Sequence, residues 1–275
     1  MPSKTLNIAL AGTGVGKSLF MCHCASHWLT EGKNVLYITL EMAEERIAER
    51  VDANLFDVTI DDLHAMPKQL YDNKMDKLKN KTLGQLIIKE YPTASAHSGH
   101  FRALLNELSL KKTFKPDVVF IDYLNICASS RFKGGNISSY FYIKAIAEEL
   151  RGLAVEFDVP IFSATQTTRS GFVSTDIGLE DTSESFGLPA TADFMFAIMT
   201  NSDLDALGQF KVKQLKNRFG DPAINRAFMI GVDRSKMRLF DVDASAQNIV
   251  DSNQSADVPQ ETPEQAYEKF SDFKL

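Results

Sequence analysis

The feature that most constrains how this chain folds is a glycine-rich octapeptide near its amino terminus, AGTGVGKS at residues 11–18. An apolar run at residues 6–10 precedes it, and a segment with helical periodicity at residues 19–29 follows it. A strand, a glycine-rich turn and a helix in this order direct backbone N–H groups and the positive end of the helix dipole at one point. The arrangement is typical of loops that bind phosphate groups.

Each residue type in this loop has a physical reason to be there. Glycine lets the backbone curl around an anion without the steric clashes of a Cβ atom. A lysine at position 17 reaches the β- and γ-phosphates of a nucleotide, and a serine at position 18 binds Mg²⁺. The sequence departs from the G-x-x-x-x-G-K-[ST] pattern at Ala11, and a turn without a ligand is the alternative interpretation. Because such a turn has no use for lysine and serine, we predict a nucleotide site that comprises Gly12, Thr13, Gly14, Val15, Gly16, Lys17 and Ser18.

The composition is typical of a globular protein of the cytoplasm. The 275 residues are 44% hydrophobic and 24% charged, which are ordinary values. No apolar run approaches the roughly 20 residues that a membrane span needs, and residues 1–10 lack the features of a signal peptide. The cysteines, Cys22, Cys24 and Cys127, fit no disulfide or zinc pattern, which indicates a reducing compartment. We therefore expect a cytoplasmic protein that does not associate with a membrane.

The acidic charge of the chain is concentrated at its carboxyl end. The net charge is −6, and residues 241–275, with eight acidic residues and two lysines, carry all of it. A net negative charge does not indicate a nucleic-acid-binding protein, but the neutral remainder must be judged loop by loop. Residues 244–266 are rich in Ser, Gln, Asn, Asp and Pro, which predicts disorder. We expect a domain at residues 1–243 and a tail at residues 244–275, whose apolar end either docks on the domain or binds a partner through Tyr267, Phe270, Phe273 and Leu275.

Apolar runs alternate with helical segments along most of the chain. The predicted strands lie at residues 34–40, 86–91, 117–122, 160–165 and 193–199. The predicted helices lie at residues 42–54, 61–81, 98–110 and 138–157. Later runs, separated by turn signals, predict antiparallel strands at residues 210–216, 226–232 and 236–240. Because most strands are apolar throughout, we predict an α/β fold: a mostly parallel, twisted sheet flanked by helices, with antiparallel strands at its C-terminal edge.

Three polar residues follow predicted strands, where the carboxyl ends of parallel strands converge on a ligand crevice. Asp122 ends the run VVFID, a position from which an aspartate holds Mg²⁺ through water. Glu41 follows YITL and can orient or deprotonate an attacking water, and Gln166 follows IFSAT and can sense a γ-phosphate. The alternatives are a solvent-facing aspartate, a glutamate that favours a helix dipole, and an amide that is simply satisfied at a strand end.

Five sequence motifs occur together along the chain, in the order AGTGVGKS, TLEM, VVFIDYL, SATQ and LPATADFMFAI. Their order and spacing resemble the RecA-like core of the DnaB-type replicative helicases. The stretches LEMAEE, AIAEELR and GLPATADFM are similar to those of the T-even-type phage helicases, and the resemblance covers about residues 4–240. It implies a RecA-like P-loop NTPase that hydrolyses ATP with Mg²⁺, translocates 5′ to 3′ on single-stranded DNA and unwinds duplex DNA.

The resemblance also implies roles for individual residues. Glu41 corresponds to the family's catalytic glutamate, and Gln166 to the glutamine that senses the γ-phosphate. Lys216 and Arg218, in the sequence KNR, resemble a K-x-R pair that reaches the nucleotide of the neighbouring subunit. The family's Asn-Gly-Pro after this pair is Phe-Gly-Asp at residues 219–221 here. A solvated strand end without a catalytic role is the alternative for Lys216 and Arg218.

The assembly that the resemblance implies is a homo-oligomer, a hexameric ring with ATP at each subunit interface. Loops at residues 129–139 and 167–181, with Arg131, Lys133 and Arg169, would face a central channel and grip single-stranded DNA. Primase and a helicase loader are the further partners implied, and a phage-encoded chain would act in the host cytoplasm. The family carries an N-terminal domain and a linker helix before the phosphate loop. Met1 lies only ten residues before Ala11, so we expect a motor fragment or a minimal form.

Two other functions use the same fold. One is that of a RecA-type recombinase, which forms filaments and pairs DNA strands. The other is that of a KaiC-like clock or signalling ATPase, which depends on nucleotide but binds no DNA. Salt-dependent DNA binding separates the signalling ATPase from the other two, and unwinding of a forked duplex separates the helicase from the recombinase.

Overall fold

A single mixed sheet forms the centre of the protein. The computed structural model describes residues 1–80, 84–132, 137–168, 177–182, 187–221 and 224–243, together with residues 245 and 247. Within these residues the sheet has nine strands, which are β1 (Leu6–Ala11), β2 (Val35–Thr39), β3 (Leu86–Glu90), β4 (Val118–Asp122), β5 (Ile161–Gln166), β6 (Phe194–Met199), β7 (Gln209–Asn217), β8 (Ala227–Asp233) and β9 (Arg238–Asp241).

Helices connect the strands and cover both faces of the sheet. In chain order they are α1 (Lys17–Thr30), α2 (Glu44–Phe56), α3 (Ile60–Ala65), α4 (Lys68–Lys79), α5 (Ser98–Lys112), α6 (Ser139–Phe157), α7 (Gly187–Thr191) and α8 (Ser202–Ala206). Short 3₁₀ turns lie at Leu124–Ile126 and Leu179–Asp181.

The strand order is β3-β2-β4-β5-β1-β6-β7-β8-β9. The strands from β3 to β6 in this order are parallel, whereas β7, β8 and β9 pair antiparallel with their neighbours. The predicted fold class is therefore confirmed, including the antiparallel strands at the C-terminal edge. The order makes β2, β4, β5 and β1 consecutive neighbours, so their carboxyl ends adjoin at one edge of the sheet.

Alternate residues of the central strands enter two hydrophobic layers. On β2, Val35 and Tyr37 pack in the layer that contains α1, whereas Leu36 and Ile38 pack in the layer that contains α5 and α6. All of these side chains are fully buried. Each large apolar side chain that is buried in this way stabilises the fold by about 1.5–3 kcal/mol relative to exposure. The two-sided burial explains why these strands are apolar at every position.

The single helix predicted at residues 61–81 is wrong, because the segment forms two helices, α3 and α4. Pro67 stands at the N-cap of α4, and a proline disfavours helical geometry in the residue before it. Residue 81 lies outside the described residues. Both helices contribute to a small apolar cluster around Phe56 and Leu63, which is separate from the main core. As expected, α4 lies on the outside, since none of its residues is buried.

The chain divides into two units, Met1–Asp241 and Val242–Leu275. The second unit lies almost wholly outside the described residues, and so do the residues on which the expectations for the C-terminal tail depend. In the part of the chain that the structure describes, no helix is both long enough and apolar enough to cross a membrane.

Candidate nucleotide-binding site

The phosphate loop connects β1 to α1, which begins at Lys17 with Gly16 as its N-cap. Gly14 and Gly16 have φ angles of 77° and 129°, in the left-handed region that residues with a Cβ atom rarely adopt. A Cβ atom on Gly16 would also lie 3.1 Å from the ring of Phe210 in β7. Lys17 folds back across the loop, and its Nζ donates to the carbonyl of Gly12 at 3.3 Å. The strand, turn and helix that the sequence predicts are therefore present.

A cavity of about 300 Å³ opens beside this loop, a volume at the lower end of the range for small-molecule sites. Predicted site residues from the loop and from the ends of β2 and β5 line it, namely Thr13, Gly14, Gly16, Lys17, Ser18, Glu41 and Gln166. Of the remaining loop residues, Val15 packs in the hydrophobic core, and Gly12 accepts the hydrogen bond from Lys17. The side chains converge because the strands that carry them are neighbours in the sheet.

Asp122 lies at the carboxyl end of β4 and is fully buried. The hydroxyl of Tyr37 donates to its Oδ2 at 3.0 Å, whereas its buried Oδ1 has no hydrogen-bond partner among the described residues. Burial raises the pKa of Asp122, while the Ser18 and Tyr37 hydroxyls and the charge of Lys17 oppose the shift. An unpaired buried carboxylate oxygen is costly unless another group satisfies it.

The oxygen donors at this position fit Mg²⁺. The hydroxyl of Ser18 and the unpartnered oxygen of Asp122 are hard ligands of the kind that Mg²⁺ prefers. In the described part of the chain, no three His, Cys, Asp or Glu side chains cluster as metal ligands. A Mg²⁺ ion bound here would therefore take its other ligands from water and from nucleotide phosphates.

Lys17, Glu41 and Asp122 form one coupled group of charges. Burial lowers the pKa of Lys17, and the carboxylates of Glu41 and Asp122 oppose this shift. Burial and the charge of Asp122 raise the pKa of Glu41, against the opposing charges of Lys17 and Arg50. A carboxylate with a raised pKa is a stronger base than an ordinary glutamate, so Glu41 is suited to accept a proton from water.

The backbone at the end of β2 fixes the position of Glu41. The amide of Leu40 donates to the Asp122 carbonyl at 2.9 Å, and Thr39 Oγ1 donates to the Met42 carbonyl at 2.8 Å. Helix α2 begins at Glu44, so Glu41 lies before its first turn. The acidic residues that interact with the helix dipole are Glu44 and its neighbour, and this leaves the dipole interpretation of Glu41 without support.

Gln166 is the last residue of β5 and lines the cavity. Its Nε2 donates to the hydroxyl of Tyr123 at 3.1 Å. The next residue, Thr167, bridges to Thr182 and so joins the two ends of the following loop. Residues 169–176 of this loop, including Arg169, lie outside the described residues.

Two arginines in the cavity are absent from the sequence-based set. Arg50, on α2, lines the cavity and contributes to the electrostatics of Glu41 and Asp122. Arg234, in the turn between β8 and β9, donates to the carbonyl of Val15 at 3.2 Å. The sequence carries no local signal for either residue, because both reach the cavity through the packing of elements distant from the loop.

Lys216 and Arg218 lie at the opposite end of the sheet from the phosphate loop. Lys216 pairs with Met195, near the amino end of β6, and Phe194 pairs with Asn7, near the amino end of β1. The loop begins beyond Ala11, four residues after Asn7, which corresponds to about 13 Å along the strand. The structure therefore does not bring Lys216 and Arg218 to the cavity of their own chain.

Both cationic side chains are bound to the end of α7. Lys216 Nζ donates to the carbonyls of Pro189 and Ala190, and Arg218 Nη2 donates to the Ala190 carbonyl at 3.0 Å. Arg218 also forms an ion pair with Asp193. Burial and the neighbouring Arg218 lower the pKa of Lys216.

Of the residues expected to contact DNA, the structure describes Arg131 alone, since Lys133 and Arg169 lie outside the described residues. Arg131 is exposed and forms an ion pair with Glu148 of α6. Next to Glu148, the buried carboxylate of Glu149 accepts hydrogen bonds from Ser129 Oγ at 2.6 Å and from the Ser130 amide at 3.0 Å. Helix α6 therefore fixes the first residues of the loop at 129–139.

Comparison with known proteins identifies several relatives. The family of DnaB-like helicase C-terminal domains matches residues 1–221. The DnaB-like replicative helicase of Enterobacteria phage T4 is 46% identical over 243 residues, which are 87% of this chain and 51% of that protein. The replicative DNA helicase DnaB of Helicobacter pylori J99 is 26% identical over 168 residues, 60% of this chain and 33% of that protein. The chain thus spans about half the length of the phage relative and about a third of the bacterial one.

Two solved structures have the same fold as this chain. One is an isolated ATPase domain, with a TM-score of 0.73 and 16% identity, and the match covers 88% of this chain and 86% of the other. The second is a DnaB-like replicative helicase, described with its interactions with primase, which has a TM-score of 0.73 and 17% identity, with 88% and 58% coverage. At these identities the likeness shows that the fold is RecA-like and shows nothing further.

Proposed function

The chain belongs to the family of DnaB-like helicase C-terminal domains, and on this premise we propose that it is the ATP-driven motor of a replicative DNA helicase. In this proposal the protein hydrolyses ATP, translocates on single-stranded DNA and unwinds duplex DNA. The observation that carries it is the convergence of Lys17, Glu41 and Gln166 on one cavity, with the buried Asp122 coupled to them. A lysine, two carboxylates and an amide around a phosphate loop are the groups that phosphoryl transfer to water needs.

The phosphate loop would bind ATP through its backbone N–H groups and Lys17. In this step the β- and γ-phosphate oxygens replace the Gly12 carbonyl as the acceptor for Lys17 Nζ. The lysine then neutralises charge that develops on the phosphates in the transition state. Mg²⁺, bound by Ser18 and through water by Asp122, would supply further neutralisation of the phosphate charge.

Glu41 would act as the general base. Its carboxylate orients the attacking water and accepts the proton that the water loses as its oxygen bonds to the γ-phosphorus. A group in this role contributes roughly 10²–10⁴-fold to the rate. Gln166, which lines the same cavity, would contact the γ-phosphate, and loss of that contact after hydrolysis would reach the loop that starts at Thr167.

Lys216 and Arg218 would act on the nucleotide of a neighbouring subunit. Their position at the far end of the sheet supports action on another chain, because they cannot reach the cavity of their own chain. This arrangement requires a head-to-tail homo-oligomer, and the proposed form is a hexameric ring with ATP at each interface.

Single-stranded DNA is the proposed substrate track. Arg131 is one candidate contact, although a DNA phosphate would have to compete with Glu148 for its guanidinium. Lys133 and Arg169 stay proposed contacts. Primase is a proposed partner because a protein of similar fold interacts with it. A helicase loader and a location in the host cytoplasm are proposed from the resemblance to phage helicases.

The experiment that tests the proposal measures ATP hydrolysis with and without single-stranded DNA, and unwinding of a forked duplex. We expect DNA to stimulate hydrolysis, salt to weaken this stimulation, and the forked duplex to be unwound. Lys17→Ala protein is the control, and it should fold but lose hydrolysis, because a lost buried charge contact costs on the order of 2–5 kcal/mol. Hydrolysis that is indifferent to DNA would favour a signalling ATPase, and DNA-stimulated strand pairing without unwinding would favour a recombinase.

A further inference from the structure

A tyrosine hydroxyl is buried beside the proposed metal site. Tyr37 lies in the middle of β2 and is fully buried. Its ring stacks on Phe120 of β4, with ring centroids 5.8 Å apart and 15° between the ring planes. Its hydroxyl donates to Asp122 Oδ2 at 3.0 Å. Burial raises the pKa of Tyr37 well above its usual value of 10, so the hydroxyl keeps the proton that it donates.

The register of the sheet explains why a tyrosine makes this contact. Tyr37 pairs with Phe120, and Thr39 pairs with Asp122, so Asp122 lies two residues further along the sheet than Tyr37. Two residues of a strand span about 6.6 Å, and side chains lean along the strand direction. The length of a tyrosine ring bridges this separation, whereas a phenylalanine at position 37 would stop one oxygen short of the carboxylate.

The two oxygens of Asp122 have different environments. Oδ2 is held by Tyr37, whereas Oδ1 is buried without a hydrogen-bond partner in the described part of the chain. Lys17 lies close enough to interact electrostatically with this carboxylate. A carboxylate held by neither oxygen could rotate about its terminal torsion, which has a broad preference, and turn towards the lysine.

We propose that Tyr37 is a positioning residue for the metal site, which anchors Asp122 by Oδ2 so that Oδ1 faces a water ligand of Mg²⁺. The inference rests on the proposed nucleotide site and adds a residue to it. Cys22 of α1 supports the same chain of contacts, because its thiol donates to the Tyr37 hydroxyl over 4.0 Å. The hydroxyl thus accepts from the thiol and donates to the carboxylate, which leaves it a single orientation.

The test is the Mg²⁺ dependence of nucleotide binding in Tyr37→Phe protein, which keeps the ring and loses one oxygen. A fluorescent N-methylanthraniloyl derivative of ATP is held at fixed concentration while Mg²⁺ is titrated. We expect the midpoint of the Mg²⁺ titration to rise about tenfold or more, as for loss of a hydrogen bond to a charged group. Binding of the same nucleotide in EDTA should change by less than about twofold. An unchanged Mg²⁺ midpoint in folded protein overturns the inference.

The matched control is Tyr71→Phe. Tyr71 Oη donates to Asp52 Oδ2 at 2.7 Å, so the same chemical change is made at a carboxylate that does not line the cavity. This variant should keep the Mg²⁺ midpoint of the parent. A rise in both variants would mean that a general loss of stability, rather than the orientation of Asp122, moves the midpoint.

Asp122→Asn separates failure of this inference from failure of the proposed function. If Asp122→Asn raises the midpoint and Tyr37→Phe does not, the metal site stands and the positioning role falls. If neither variant changes the midpoint, the assignment of Asp122 to Mg²⁺ is itself wrong. In the double variant, the Tyr37 substitution should have no further effect, because no carboxylate remains to be oriented.

Discussion

Arg218 and Asp193 form an ion pair at the end of the sheet opposite the phosphate loop, with 3.3 Å between Nη1 and Oδ1. Asp193 is only 1% exposed, and it also accepts from Arg151 Nε at 3.0 Å and from the Leu6 amide at 3.0 Å. One buried carboxylate thus ties α6, the start of β1 and the proposed trans-acting arginine together. Asp193 therefore sets the direction in which the Arg218 guanidinium leaves the sheet.

The first prediction concerns the stability that this carboxylate supplies. Asp193→Asn should lower the free energy of unfolding by about 2–4 kcal/mol, because it removes a buried charge from two guanidinium groups. Urea unfolding of parent and variant measures the loss. The control is Glu156→Gln, which breaks an ion pair of similar length with Arg102, 2.8 Å, in which both side chains are more than 40% exposed.

That exposed pair should contribute less than about 1 kcal/mol, because water and salt screen it. Equal losses for Asp193→Asn and Glu156→Gln would mean that burial does not strengthen the Asp193 contacts, contrary to this account.

The second prediction tests Glu41 as the general base. Glu41→Gln protein should bind ATP with near-parental affinity and hydrolyse it roughly 10²–10⁴-fold more slowly, because the amide cannot accept a proton. Single-turnover hydrolysis and equilibrium binding of a fluorescent ATP analogue separate the two effects. A variant that loses affinity but keeps its maximal rate would show that Glu41 binds nucleotide rather than activating water.

The third prediction is a dependence of stability on pH through Glu149. Burial raises the pKa of Glu149, but hydrogen bonds from Ser129, Ser130 and Ser98 outweigh it, so the pKa lies below its usual 4.5. The unfolded state therefore takes up this proton at a higher pH than the folded state. The contribution of Glu149 to stability is complete above pH 4.5 and is lost as the pH falls through the folded-state pKa.

Glu149→Gln protein should accordingly be less stable than the parent near neutral pH. The difference in the free energy of unfolding should shrink as the pH falls below 4.5. Ser98→Ala, which removes a donor 2.7 Å from Glu149 Oε2, should give a smaller change in the same direction. A difference that grows on acidification would reverse the sign of the pKa shift and contradict the argument.

Much of the candidate site was predictable from the sequence because its residues follow strands. Glu41, Asp122 and Gln166 stand at the ends of apolar runs, and parallel topology brings such ends to one edge. Arg50 was not predictable, because the direction of a long side chain on α2 depends on how that helix packs. Arg234 was missed because its turn reaches the loop only after β8 and β9 have joined the sheet.

Tyr37 shows a different limit of sequence reasoning. In the run VLYITL it looks like any buried strand residue, and nothing local indicates that its hydroxyl has an aspartate partner 85 residues away. The contact depends on the register between β2 and β4, which the sequence does not specify. The broken helix at residues 61–81 is the opposite case, because Pro67 was visible in the sequence and polar periodicity across it concealed the break.

The last prediction tests whether Arg218 acts on a neighbouring subunit. If its guanidinium stabilises transition-state charge on a nucleotide held by another chain, the contact is worth about 10³–10⁵ in rate. Arg218→Ala protein should then bind nucleotide nearly as well as the parent, because its own cavity is intact, and hydrolyse it poorly. A Lys17→Ala subunit has a defective cavity but offers an intact Arg218 to its neighbour.

Mixing the two variants decides the direction of the contact. At protein concentrations that form oligomers, with single-stranded DNA present, the mixture should recover part of the hydrolysis that neither variant shows alone. The active sites in the mixture are those in which the Lys17 of an Arg218→Ala subunit meets the Arg218 of a Lys17→Ala subunit. Asp193→Asn combined with Lys17→Ala in one subunit should recover less, because it leaves Arg218 without the carboxylate that orients it. No recovery in verified mixed oligomers, or parental hydrolysis by Arg218→Ala protein, would rule out an interfacial site built on this arginine.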